Sequence, residues 1–289
     1  MLTQRARALP VLLLAACSGP VGLDDGADEG FTSAGGVRLH YVIDFPAGEG
    51  PHPAAIYVHG SGRKTIQDDA DIARRLVDRG IAMLRYDKRG TGQSGGSFTP
   101  SNDPRVNDAL PDEYAPDAAA VLDVLAAHPR IDPNRVGMIG ESQAGWTIPA
   151  AMRLTDRARF VVLKSGPTLP LGDVGGYEDI AAQRPDLSPQ EVMAELERQG
   201  RRTGWGFDPT PHLEALEVPG LWVYGEQDRH VPALASARAL EVIRQASGGD
   251  LSTLSYPKGD HGLRDVDSGE GIPYWEDVVA WLETKGFVR

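Results

Sequence analysis

Ser142 stands in Gly140-Glu141-Ser142-Gln143-Ala144-Gly145, between the apolar run Arg135 to Gly140 and a stretch with helical composition. A serine at such a strand-to-helix turn has its hydroxyl lifted clear of the sheet. The backbone N–H of Gln143, at the start of the helix, then faces the point where negative charge develops on a carbonyl under attack. The motif departs from Gly-x-Ser-x-Gly at its fifth position, where Ala144 stands and Gly145 follows. Alanine is small enough to let the helix pack closely on the strand. A serine hydroxyl is a weak nucleophile and needs a base. His261, in Lys258-Gly259-Asp260-His261-Gly262-Leu263, is the candidate, because flanking glycines let an imidazole reach over a sheet. The base needs an orienting carboxylate. Tyr224-Gly225-Glu226-Gln227-Asp228-Arg229-His230-Val231-Pro232 offers Asp228 and, two residues earlier, its rival Glu226. Asp228 is preferred because it precedes the Val231-Pro232 pair that opens the next helix. The chemistry these residues could perform together is acyl transfer through a covalent serine intermediate.

Acyl transfer also needs a second oxyanion donor. His59-Gly60-Ser61-Gly62, after the strand that precedes the first main helix, is the candidate for it, with the Ser61 N–H as the choice and Gly62 as the alternative; His59 itself reads as structural. Tyr86-Asp87-Lys88-Arg89-Gly90-Thr91-Gly92-Gln93-Ser94 reads as a tight turn fixed by Asp87 and Arg89, since it lacks the spacing and helix context of a phosphate loop. His230 reads as a surface or supporting group.

Strands must carry these loops. Val37 to Ile43 alternates apolar and polar residues, as a half-buried strand does. Pro53 to Val58, Ile81 to Tyr86, Arg135 to Gly140, Phe160 to Leu163, Leu221 to Tyr224 and Leu251 to Tyr256 are further strands. Between them lie helices at Asp69 to Arg79, Glu113 to His128, Gln143 to Arg153, Ala233 to Gln245 and Tyr274 to Lys285. Such alternation implies a mostly parallel sheet covered on both faces, with functional groups at the carboxyl ends of its strands. The alternation breaks between about Pro167 and Glu217, which holds one clear helix, Ser188 to Arg202, among Pro- and Gly-rich stretches. This segment is expected to form a small cap. Leu171, Trp205 and Phe207 could line an acyl pocket with Trp146 at its wall, and Arg201 and Arg202 could meet an acidic substrate, although ordinary cap packing and a solvated helix end account for them better.

The chain has 289 residues, 41% of them hydrophobic, with a net charge of -12. That length buries a sizeable single-domain core. An acidic chain gains no counterion-release energy from nucleic acid, which excludes DNA or RNA as an expected partner. Arg5 and Arg7 followed by the short apolar run Val11 to Ala16 read as an export signal over residues 1–16. Cys17, the sole cysteine, stands where a bacterial lipoprotein signal places its lipid-bearing thiol, and resembles it closely. Residues 17–36 read as a flexible tether, and 37–289 as the folded domain. The expectation is an exported protein, lipid-anchored to a bacterial membrane, periplasm-facing or in the outer membrane; the resemblance to lipoprotein signals implies the outer one from Ser18 after the cysteine.

Taken together, the segments from about Val37 to Val288 resemble the α/β-hydrolase superfamily, in its dienelactone-hydrolase-like and prolyl-oligopeptidase-like branches. The chain order Ser142, Asp228, His261 is that of the superfamily's triad. The resemblance implies an eight-stranded sheet and esterase or peptidase chemistry on a small-molecule ester or acyl substrate, without a cofactor. The carboxylic-ester hydrolase is the first reading, favoured over a peptidase or amidase because no propeller-like segment is present. A catalytically silent binding lipoprotein is the alternative from another class.

Overall fold

The computed structural model describes residues 27–101, 103, 105–202 and 204–288. Cys17, the expected export signal and the first part of the expected tether lie outside these described residues.

An eight-stranded sheet runs in the order β1-β2-β4-β3-β5-β6-β7-β8. Its strands are β1 (Asp28–Ala34), β2 (Val37–Asp44), β3 (His52–Val58), β4 (Ala82–Tyr86), β5 (Ile131–Glu141), β6 (Phe160–Lys164), β7 (Gly220–Gly225) and β8 (Leu251–Tyr256). The first two join antiparallel, and every pair from β4 to β8 is parallel. Parallel strands need crossovers, and helices supply them. These are α1 (Ala70–Val77), α2 (Val106–Ala109), α3 (Ala115–Ala126), α4 (Ala144–Ala151), α5 (Leu171–Gln183), α6 (Pro189–Gln199), α7 (Thr210–Glu214), α8 (Ala233–Ser247) and α9 (Tyr274–Thr284). A π-helical turn, Leu110–Tyr114, links α2 to α3.

Successive side chains of a strand point to opposite faces, so each central strand feeds two cores. Ala54, Ile56 and Val58 of β3 belong to one core with Leu122 of α3, Ile148 of α4 and Leu240 of α8. Ala55 and Tyr57 pack with Leu76 of α1 and with Val278 and Leu282 of α9 on the other face. Burial on both faces explains why these strands read as continuous apolar runs.

Residues 28–34 depart from the expected tether. They form β1, paired with β2 from Asp28 opposite Ile43 to Ala34 opposite Val37. Gly35 and Gly36, both at positive φ, make the two-residue connection. Only Ala34 of this edge strand is buried, so no apolar period betrayed it.

The segment between β6 and β7 carries α5, α6 and α7. The first two enclose a small core of their own, made by Tyr177, Ile180, Ala181, Val192 and Leu196. The expected helix over 188–202 runs 189–199, and Ser188 and Glu191 close its start with a capping box. Among the described residues no helix is long and apolar enough to cross a membrane.

Candidate active site

β5 ends at Glu141 and α4 begins at Ala144, leaving Ser142 and Gln143 to make the turn. Ser142 adopts φ 51°, a left-handed conformation that few non-glycine residues hold. Two hydrogen bonds keep it there. Its N–H donates to the Lys164 carbonyl at 2.9 Å, and its own carbonyl accepts from the Gly145 N–H at 2.8 Å. The small residues around it are steric requirements. A Cβ at Gly140 would stand 2.5 Å from Ala144 Cβ, and one at Gly145 would stand 2.6 Å from Pro167 Cδ. Gly145 therefore holds the helix close to the chain leaving β6, and Ala144 fills the space beside Gly140.

Asp228 follows β7 and is fully buried. Its Oδ1 accepts from the His230 N–H at 2.7 Å and the Val231 N–H at 2.9 Å. Its Oδ2 lies 2.7 Å from His261 Nδ1. It is Asp228 rather than Glu226 whose carboxylate reaches the imidazole. Among the described residues that is the one side-chain hydrogen bond of His261, and none joins it to Ser142 in this conformation. Pairs of this kind often tighten only around substrate.

The end of β6 brings the two loops together. Lys164 holds Ser142 through its carbonyl, and the next residue, Ser165, holds His261. The Ser165 hydroxyl donates to the His261 carbonyl at 2.9 Å. Ser165 is itself fully buried and left-handed, at φ 49°. Consecutive residues of one strand end thus fix the backbones of Ser142 and His261.

The loop after β3 approaches from the other side. A Cβ at Gly60 would lie 3.4 Å from Ser142 Cβ, so Ser61, next in the chain, comes to the mouth of the turn. Gln143 is buried, and among the described residues its N–H finds no backbone acceptor. Its side chain accepts from Lys88 Nζ at 2.7 Å, and the same ammonium donates to the Gly60 carbonyl at 3.0 Å.

The remaining singled-out residues take other places. His59 is buried, with Nε2 donating to the Tyr86 carbonyl at 2.6 Å and Nδ1 2.8 Å from Asp69. Asp87 accepts from the Gln93 and Ile66 N–H groups, and Arg89 pairs with Asp117 at 2.6 Å, which fixes the turn after β4. His230 pairs with Glu178 at 2.7 Å beside the His261 ring. Its hydrogen bond to Glu178 raises the imidazole above its ordinary range. Trp146 donates its indole N–H to the Leu169 carbonyl, and Phe207 stacks on His212. Leu171 packs on the main core, while Trp205 is 57% exposed and turned from any shared apolar wall. Arg201 and Arg202 are taken up by Asp173 and Asp179.

Several residues that touch this region went unread in the sequence, Lys164 and Glu178 among them. Lys88 and Ser165 are others, as are Tyr177, whose hydroxyl donates to the Asp228 carbonyl at 2.6 Å, and Arg229. The Arg229 guanidinium donates to the carbonyls of Ala181, Arg184 and Leu187 in the cap. Lone polar residues in loops carry no period, and only the fold shows what they reach. Among the described residues no group of three or more His, Cys, Asp or Glu is placed to hold a metal ion.

Comparison with known proteins agrees with this architecture. The profile of the prolyl oligopeptidase family matches residues 70–285. Esterase EstD of Thermotoga maritima is 27% identical over 219 residues, 72% of this chain and 49% of that protein. An uncharacterized peptidase of Bacillus subtilis, YuxL, is 23% identical over 81% of this chain and 35% of its own length. The chain thus spans half or less of these two relatives. Among solved structures, an esterase of Pyrococcus furiosus superposes with a TM-score of 0.64 at 15% identity, covering 96% of both chains. The acylaminoacyl peptidase of Pyrococcus horikoshii gives 0.64 at 16% identity over 89% of this chain and 41% of its own.

Proposed function

The chain belongs to the prolyl oligopeptidase family, and from that premise we propose that it hydrolyses carboxylic esters through an acyl-enzyme on Ser142. The observation that carries this reading is the pair of consecutive anchors, Lys164 on Ser142 and Ser165 on His261, with Asp228 buried behind the imidazole. In the proposed reaction the Ser142 hydroxyl attacks the ester carbonyl and passes its proton to His261 Nε2. Asp228 holds the Nδ1–H tautomer and stabilises the imidazolium. The Gln143 and Ser61 N–H groups receive the oxyanion, each contributing about 3–4 kcal/mol to the transition state. The alkoxide leaves with the proton from His261. Water, deprotonated by the same imidazole, then releases the acid. The likeness to an esterase over 72% of the chain supports esters as the substrate class. A lipid on Cys17 would hold this chemistry at a membrane face.

The test uses a fluorophosphonate probe, short p-nitrophenyl esters and a peptide p-nitroanilide, with Ser142→Ala alongside. Labelling and ester turnover that disappear in Ser142→Ala are expected, with the anilide cleaved far more slowly. Anilide cleavage at a rate matching the ester would replace the esterase by a peptidase. A folded wild type that neither labels nor turns over would leave a binding protein.

A further inference from the structure

Lys88 is buried, with 4% of its surface exposed, in the turn after β4. Among the described residues no carboxylate is hydrogen-bonded to its ammonium. Asp117, whose charge acts on it, is engaged by Arg89 at 2.6 and 2.7 Å, and Glu113 lies 3.8 Å from the same guanidinium. The other cation close by, Lys64, repels it. What the ammonium has instead is the Gly60 carbonyl, the Gln143 side-chain oxygen and the face of the Tyr114 ring, 4.5 Å away. Its backbone is tied to the same loop, since the Lys88 N–H donates to the Lys64 carbonyl at 3.0 Å. Burying a cation without a counter-ion costs several kcal/mol, and an apolar residue of the same length would fill the space at less cost.

The two oxygens that Lys88 holds belong to the two residues flanking the oxyanion position proposed above. The Gly60 carbonyl and the Ser61 N–H are the two ends of one planar trans peptide, and they point in opposite directions. Fixing the carbonyl on Lys88 Nζ therefore aims the Ser61 N–H the other way, and a hydrogen bond on one end of a peptide strengthens its other end as a donor. On the Gln143 side, the same ammonium pins the residue whose main-chain N–H is the second donor. We propose that Lys88 is a positioning residue that sets the orientation and spacing of the two oxyanion donors. Burial pushes the ammonium down to about 7, in keeping with a cation kept for a task other than stability.

This inference rests on the serine-hydrolase reading, and its test separates the two. Steady-state ester hydrolysis is measured for the wild type, Ser142→Ala, Lys88→Met, Gln143→Met and the double variant Lys88→Met/Gln143→Met. Rates are normalised to sites titrated with fluorophosphonate. Lys88→Met is expected to lower kcat about 10–100-fold with KM changed less than about threefold, because the lost interaction acts on the transition state. Affinity for a trifluoromethyl ketone, whose adduct carries the oxyanion, falls by the same factor. Gln143→Met keeps its main-chain N–H, and its loss combines less than additively with that of Lys88→Met. Should Lys88→Met not fold, Lys88→Gln, which keeps a neutral donor, is expected to fall between it and the wild type. A folded Lys88→Met or Lys88→Gln with wild-type kcat per titrated site, while Ser142→Ala is silent, would overturn this inference alone. A lower Tm with unchanged kcat would likewise reduce Lys88 to packing. A wild type that neither labels nor turns over would overturn both.

Discussion

The Ser165 hydroxyl and the His261 carbonyl are 2.9 Å apart although 96 residues separate them in the chain. The bond spans from the end of β6 to the loop after β8, across the intervening β7. It places the imidazole over a strand end that also holds Ser142. Ser165→Ala removes the donor and keeps the left-handed backbone. It is expected to destabilise the fold by about 1 kcal/mol, the net value of one such bond, and to lower kcat several-fold through a looser His261. Ser165→Gly also loses the bond but relieves the strain, so it should match the alanine variant in kcat while unfolding at a higher temperature. Urea unfolding together with ester kinetics checks both halves. Equal stability of the two variants would show that the φ of 49° carries no strain.

Asp228→Asn should be far more damaging than its size suggests. Oδ1 accepts two main-chain N–H groups, so the substituted amide must turn its oxygen toward them and its NH₂ toward His261. The imidazole then presents a bare Nδ1 and carries its proton on Nε2, the wrong tautomer to accept from Ser142. A loss of about 10⁴ in kcat is expected, with the fold intact. Rates measured beside circular dichroism decide it, and a loss under tenfold would remove Asp228 from its assigned place.

Lys88 makes a prediction about stability as well as rate. Its ammonium is lowered from 10.5 to about 7 on folding by desolvation first and by Lys64 second, opposed by Asp117. Between about pH 7 and pH 10.5 the unfolded chain therefore binds more protons at this site than the folded one. Stability must rise with pH across that window, and the penalty is present in full below it. The unfolding free energy of the wild type minus that of Lys88→Met should climb from pH 7 to 9.5, with a limiting slope of about 1.4 kcal/mol per pH unit. A flat difference would mean that Lys88 stays charged throughout.

Most of the scaffold was legible because burial writes itself into sequence. β3 to β7 appear as apolar runs between turn residues, and the loops bearing Ser142, Asp228 and His261 follow β5, β7 and β8 as expected. What hid was held by other forces. β1 is an edge strand with one buried residue, and its signal was the Gly35-Gly36 turn. α5, Leu171–Gln183, has apolar positions at Leu171, Val174 and Tyr177, but three glycines masked it as loop. Two of these are there for contact. A Cβ at Gly172 would lie 2.4 Å from the Trp205 carbonyl, and one at Gly176 would lie 2.8 Å from Leu196 Cδ1. Trp205, read as pocket lining, belongs by its backbone to that contact and turns its ring to solvent. The clasps made by Lys88 and Ser165 rest on main-chain atoms of distant segments, which no local spacing encodes.

Arg229 holds the cap by carbonyls alone, those of Ala181, Arg184 and Leu187. Any residue provides a carbonyl, so the grip is indifferent to which side chains α5 and α6 carry. Two side chains of α5 do reach the loop of Asp228, Tyr177 to the Asp228 carbonyl and Glu178 to His230, so the cap residues beyond these two can change while the Arg229 grip remains. A hold made on main-chain atoms thus leaves much of the cap sequence free to drift while the turn bearing Asp228 stays where it is.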